Sequence, residues 1–311
     1  MHCGSLTSKD PTDRAAFNAS RVCHSKSVSE IAVILNPRAR SERADNLVDE
    51  LHRLAPEAEI LLTTCCGDAR RLASEAARAG FHTVVAAGGD GTVNEVVNGL
   101  AGTQVTLGVL PVGTMNVFSK EHGLPADLAA AWAVIRARHV REVDIAAANG
   151  AHFIQLAGIG LDAQIVKETT WESKKTLGPV SYILSAAAVA ARMPPTITVE
   201  TASGTTHEGS FVLVGNGRYY GAKVILFPQA KPDDGLLDFL IFKNQSYLDI
   251  ARYLGGVLLG KHTELSDVEY LQESSVRIRS DVELPIEVDG ELCGVLPAEI
   301  GVTGKLRVLI P

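Results

Sequence analysis

Val84-Val85-Ala86-Ala87 runs straight into Gly88-Gly89-Asp90-Gly91-Thr92, and Val93-Asn94-Glu95 opens a helical pattern that continues through Val97 and Leu100. A short apolar run bounded by turn residues reads as a buried strand. Glycines in the turn let backbone approach a ligand closely and allow positive φ. The free N–H groups at the start of the following helix face an anion. Strand, glycine turn and helix start together make a phosphate cradle.

The same alternation surrounds it. Ile31 to Leu35 is a strand stopped by Asn36-Pro37, and Leu47, Leu51 and Leu54 recur at helical spacing. Ile60 to Thr64 reads as a second strand, and Asp68 is placed to cap a helix ending near Gly80. Thr83 to Ala87 and Val105 to Leu110 complete four strands. Strands alternating with helices imply a parallel α/β sheet, whose ligands bind outside the strands' carboxyl ends. Asn36-Pro37, Gly88 to Thr92 and Pro111 to Asn116 all fall there.

The rhythm changes after Asp144. Phe153 to Ala157, Ile197 to Thr201, Phe211 to Val214, Leu237 to Phe242, Val276 to Ile278 and Leu306 to Ile310 read as strands joined mostly by turns. Residues 173–193 and 246–260 read as helical insertions. The expected organisation is a disordered tail over residues 1–27, a three-layer α/β domain over 28–145 and a β-sandwich-type domain over 146–311. With 46% apolar residues, 311 residues are enough for two cores.

A net charge of −7 argues against nucleic acid as a partner, because phosphate-backbone binding needs a basic footprint. Cys3, Cys23, Cys65, Cys66 and Cys293 form no Cys-x-x-Cys pair and no disulfide framework, which fits a reducing cytoplasm. The histidines show no His-Glu-x-x-His spacing, which disfavours a zinc hydrolase. No apolar run approaches the roughly 20 residues of a membrane span, so membrane contact is expected to be peripheral.

Two better-known phosphate motifs fail. G-x-G-x-x-G breaks at Asn94, and the Walker A spacing over Gly255 to Lys261 ends in His262 on a helical stretch. Asp90 points further. A carboxylate inside an anion cradle is repelled by phosphate unless a cation lies between them, which implies Mg2+ held with a polyphosphate.

Gly88-Gly89-Asp90-Gly91-Thr92 followed by Val93-Asn94-Glu95-Val96 resembles the nucleotide motif of the diacylglycerol kinase catalytic family, which includes soluble bacterial lipid kinases and the sphingosine and ceramide kinases. Gly108 to Asn116 is similar to that family's second nucleotide motif, Asn36-Pro37 to the one at the first strand end, and Thr63 to a further contact. The resemblance spans Ile31 to Pro311. It implies an N-terminal nucleotide-binding domain shared with NAD kinases, with ATP contacts at Asn36, Thr63, Gly89, Asp90, Gly91, Thr92, Val93, Asn94, Glu95 and Thr114. One departure is Val117, where the family usually has aspartate; a lost carboxylate there would affect helix capping or nucleotide affinity.

Asp289-Gly290-Glu291 read alone is a hairpin turn. It resembles the family's Asp-Gly-Glu, which makes Glu291 the base for an acceptor hydroxyl. The resemblance also implies that Asp144 helps organise the catalytic Mg2+, for which Asp90 is the other candidate carboxylate. Lys231 to Leu237 read alone is an acidic turn before a strand. The resemblance makes it a structural Mg2+ site, with the Asp234 carboxylate and the carbonyls of Lys231 and Leu236. The implied activity is transfer of phosphate from ATP to a lipid alcohol such as diacylglycerol, in phospholipid metabolism at the inner membrane surface. Lys167, Trp171, Lys174 and Lys175 beside the apolar stretch Val180 to Ala191 fit a membrane-interface device or a helix packed on the β-domain. Rival readings are a kinase of a soluble substrate, such as NAD, and a regulator without catalysis. The lipid and the oligomeric state stay open.

Overall fold

A computed structural model describes residues 30–39, 44–168, 194–221 and 224–311. The tail, Trp171, Lys174, Lys175 and the helix expected over 173–193 lie outside the described residues.

Four strands form the parallel part of the first sheet: β1 (Ile31–Leu35), β2 (Glu59–Leu62), β3 (Thr83–Gly88) and β4 (Thr106–Pro111), in the order β2-β1-β3-β4. Their side chains alternate between two cores, as the period of a strand requires. Ala32, Ile34, Val84, Ala86, Leu107 and Val109 meet helices α2 (Asp68–Arg78) and α3 (Asp90–Leu100) on one face. Val33, Leu35, Val85, Ala87 and Leu110 meet α1 (Ala44–Leu54) and α5 (Leu128–Ala137) on the other, where Leu51 and Trp132 are fully buried. Covering both faces produces three layers. It also explains why β1 and β3 read as unbroken apolar runs. Each such buried leucine contributes about 1.5–3 kcal/mol relative to an exposed one.

The short helix α4 (Val117–Glu121) follows β4, and the chain then enters β5 (Val140–Ala148), in which Asp144 lies mid-strand. Charged residues at Arg141 and Glu142 conceal its first half. The C-terminal strand β18 (Ala298–Leu309) runs antiparallel to β5 and parallel to β4, so the end of the chain extends the sheet begun by β1. Beyond β18 that sheet continues through β15 (Ser275–Ser280), β8 (Ile197–Thr201) and β9 (Thr206–Gly209), while β6 (Ala151–Phe153) pairs with β5.

A second sheet packs against this extension. Its order is β14-β13-β10-β7-β16-β17, from Val268–Glu273, Leu237–Phe242, Phe211–Gly215, Leu156–Ile159, Pro285–Val288 and Glu291–Val295. Its strands pair antiparallel. Ile159, Val212, Val214, Phe239, Ile241 and Ile286 interleave with Ile197, Val199, Val276, Ile278 and Ile300 of the first sheet, which makes a β-sandwich. On the outer face, α6 (Leu161–Glu168) and α7 (Tyr247–Leu258) cover Phe211, Leu213 and Phe242. The Ser246–Asp249 capping box starts α7. A two-stranded hairpin of β11 (Tyr219–Tyr220) and β12 (Val224–Ile225) lies outside both sheets. Among the described residues, no helix is long and apolar enough to cross a membrane.

Phe153 to Ala157 is two strands rather than one. The break at Ile154 and Gln155 arises because their N–H groups, with that of Leu156, donate to the Asp289 carboxylate instead of to a neighbouring strand.

Candidate active site

Parallel pairing brings the carboxyl ends of β1, β3 and β4 together: Leu35 stands opposite Ala87, and Gly88 opposite Pro111. The loops that follow are stitched across one another. Asn36 N–H donates to Ala87 O, Thr63 N–H to Leu35 O and Val112 N–H to Gly88 O. Gly88, Gly89 and Gly91 do not adopt the positive φ that the sequence allowed; Gly89, the α3 N-cap, is extended at φ −90°. Closeness is what demands glycine here. A Cβ on Gly88 would stand 2.4 Å from the Thr92 Cβ, and one on Gly113 would stand 2.4 Å from the Gly89 Cα.

A cleft of about 260 Å³ opens at this edge, and Asn36, Thr63, Gly91, Thr92, Glu95 and Glu291 line it. The structure thus brings Glu291, from the far end of the chain, to the first turn of α3. Arg38, Thr64, Cys65, Cys66 and Ala69 complete the lining and were not singled out from sequence. Arg38 carried a readable signal, a basic residue directly after a strand-end Asn-Pro. The Asn36 amide donates to Thr92 Oγ1 at 3.3 Å, which ties the β1 end to the α3 start.

Other predicted residues stand elsewhere. Asp90 Oδ1 accepts from the N–H of Val117 at 2.7 Å and of Phe118 at 3.3 Å, so it caps α4 from across the cleft edge. That cap uses backbone donors, which valine at position 117 retains. Val93 is buried in the core and its N–H returns to Gly89 O. Asn94 is buried, and its amide donates to Asp289 Oδ2 at 2.8 Å and to His152 O at 3.1 Å. Thr114 is exposed on the loop after β4, whose left-handed Asn116 donates back to Gly113 O at 2.9 Å. Asp68 follows the N-cap, Gly67, rather than capping α2. Its carboxylate instead collects Thr64 and Cys65, and the Thr64 hydroxyl, first among these, holds it well below the usual carboxylate range.

The start of α2 is capped by Glu95, which accepts from the N–H groups of Gly67 at 3.0 Å and Ala69 at 2.9 Å. A carboxylate at a helix N-terminus is stabilised by the helix dipole. Cys66 Sγ lies 3.7 Å from Glu95 Oε1, and the negative charges of Glu291 and then Glu95 push its thiol up. The ligating atoms of Cys66, Glu95 and Glu291 lie within 4.8 Å of one another. The two carboxylates are the hard oxygen donors that Mg2+ takes, whereas a thiol is not.

Asp144 is fully buried and does not line the cleft. It accepts from Gly235 N–H at 2.7 Å and from Lys305 Nζ at 2.8 Å, and Lys305 also donates to Asp233 O at 3.0 Å. Its own N–H donates to Pro232 O at 2.6 Å. Asp144 therefore holds the Lys231–Leu236 turn. Asp234 is exposed there and accepts from Leu236 N–H at 3.1 Å. The donors expected from Lys231, Asp234 and Leu236 are all oxygens, which fits Mg2+ chemically.

Asp289, in the left-handed region at φ 48°, gathers three N–H groups and the Asn94 amide, although burial pushes its carboxyl up. Its wrapping turns Glu291 outward into the cleft.

Comparison with known proteins finds matches to both halves of the chain. The model of the diacylglycerol kinase catalytic domain matches residues 30–148, and that of the YegS C-terminal NAD kinase beta sandwich-like domain matches residues 156–310. The Bacillus subtilis (strain 168) diacylglycerol kinase is 32% identical over 290 residues, which covers 90% of this chain and 95% of that protein. The chain belongs to the diacylglycerol kinase family. A Staphylococcus aureus (strain JH9) diacylglycerol kinase is 32% identical over 275 residues, covering 86% of this chain and 87% of the relative. A solved diacylglycerol kinase from Bacillus anthracis (strain Sterne) superposes with a TM-score of 0.74 at 30% identity, covering 91% of this chain and 97% of that one. Coverage of whole relatives means that the diacylglycerol kinase resemblance extends across both the α/β part and the sandwich.

Proposed function

We propose that this chain transfers the γ-phosphoryl group of ATP to the hydroxyl of a lipid alcohol of the diacylglycerol type, with Glu291 as the general base. The observation that carries the reading is the meeting of Glu291 with the α3 N-terminus in one cleft. The first N–H groups of α3 lack intrahelical partners and face the phosphates. Thr92, Asn36 and Thr63 offer hydroxyl and amide contacts around them, and Arg38 adds positive charge. Glu291 accepts the proton of the attacking hydroxyl, a role that contributes about 10²–10⁴-fold.

Glu95 and Glu291 are the cleft carboxylates that would meet a nucleotide-bound Mg2+, Glu95 through lone pairs left over from its two α2 contacts; Asp90 would do so through those left over from α4. When bound, the ion neutralises charge on the β and γ phosphate oxygens. A second Mg2+ on Lys231, Asp234 and Leu236 would brace the sandwich. A lipid acceptor also implies peripheral contact with a membrane surface.

The test is a panel of diacylglycerol, monoacylglycerol, ceramide-like and sphingosine-like alcohols, and NAD, incubated with labelled ATP and Mg2+ and read by product mass. A phosphorylated lipid is expected. Transfer to NAD alone, or to nothing, would overturn the reading.

A further inference from the structure

Glu287 lies in the middle of β16, buried to 1% exposure, four residues before Glu291. Its Oε2 accepts from Gly290 N–H at 2.8 Å, so it holds the residue that carries Glu291. Its Oε1 meets no N–H or O–H donor among the described residues. It meets Asp162 of α6 instead. A Cβ built on Gly158 would stand 2.6 Å from Asp162 Oδ2 and 2.8 Å from Glu287 Oε1, so both oxygens converge on the space that glycine leaves open. The other Asp162 oxygen accepts from Tyr220 Oη at 2.9 Å.

Two ionised carboxylates are acceptors only, and they repel at such contact. Two neutral acids would leave the Gly290 N–H with a weaker acceptor. One proton between them satisfies every oxygen. We propose that Asp162 and Glu287 share a single proton and that this carboxyl–carboxylate bond fixes the Asp289-Gly290-Glu291 turn, which makes Glu287 a positioning residue for the base. The inference rests on Glu291 being that base. The titratable groups facing the pair are Tyr220 from β11, Asp289 from the turn and Cys293 from β17; burial and the charge of Glu287 push the Cys293 thiol up to about 11.

Burial and the neighbouring Asp162 charge raise the Glu287 carboxyl well above its ordinary 4.5. The folded state then binds more protons than the unfolded chain above that value, so this contribution to stability is full in acid. It is lost as pH rises toward the folded value. The shared proton leaves in the same range, and the turn loses its register.

The experiment compares the wild type with Glu287→Gln, in which the amide oxygen still accepts from Gly290 and the NH₂ donates to Asp162 in place of the proton. Thermal stability against pH, measured without lipid, is expected to slope downward from acid to alkaline in the wild type and more weakly in Glu287→Gln. In the lipid kinase assay, wild-type kcat is expected to fall roughly tenfold on the alkaline side as the base shifts by a fraction of an ångström. Glu287→Gln should keep its neutral kcat and the KM for ATP and lose that alkaline limb. Asp162→Asn is expected to behave likewise and serves if the first variant does not fold. Identical pH slopes in wild type and variant, or failure of both variants to fold, would overturn the shared proton. If the wild type phosphorylates no lipid, the proposed function fails while the stability slopes still decide this inference.

Discussion

Glu291 stands exposed in the cleft, whereas Asp289, two residues earlier on the same turn, is wrapped by three backbone N–H groups and the Asn94 amide. One acid faces the cleft; the other holds together loops from both halves of the chain. The same division separates Glu95, which lines the cleft while capping α2, from Asp144, which is sealed beneath the Lys231–Leu236 turn. Carboxylates buried inside the fold thus underlie carboxylates that reach the cleft. The lesson is that an acidic side chain in this fold is assigned by what surrounds it rather than by its motif.

The sharpest way to break the comparison is Asp289→Ala beside Glu291→Ala. Loss of Asp289 leaves several N–H donors without their acceptor and is expected to cost about 3 kcal/mol of stability. Loss of Glu291 is expected to stay within about 0.5 kcal/mol, as for other exposed positions. Denaturant midpoints of the two proteins check this, and equal losses would erase the distinction. A smaller effect is expected from Lys305→Met, which removes the ammonium shared by Asp144 and Asp233 O. The fully buried Asp144 keeps Gly235 as a donor, so the expected loss is about 1–2 kcal/mol. Because Lys305 does not line the cleft, kcat on the preferred lipid should remain near that of the wild type. A large fall in kcat at unchanged stability would move Asp144 from the turn's support into the chemistry.

Much of this was legible in the sequence. β1, β3 and β4 are covered on both faces, so their apolar runs stand out, and the glycine turn follows β3 directly. Glycine, however, signalled close packing of two loops against each other here rather than positive φ. β16 stayed hidden because Glu287 interrupts an otherwise apolar buried strand, and β17 because most of its residues are exposed and follow no alternation. The long strand β18 was read only at its C-terminal end, since Thr303 to Lys305 are polar or small where it bulges against β5. Within the site, the family resemblance pointed to Glu291 and Thr92, but the residues alone could not say which acid of Glu287, Asp289 and Glu291 faces the cleft. That depends on the left-handed turn at Asp289 and on partners distant in sequence. The Cys65–Cys66 wall was missed because its residues acquire a role only through the Glu95 cap on α2.

Glu291→Gln tests the central claim most directly, with nucleotide affinity and lipid turnover measured on the same protein. The amide keeps the size of the side chain and removes its ability to accept a proton. The account predicts ATP binding close to that of the wild type and a kcat lowered by about 10²–10⁴-fold. Undiminished kcat would contradict it.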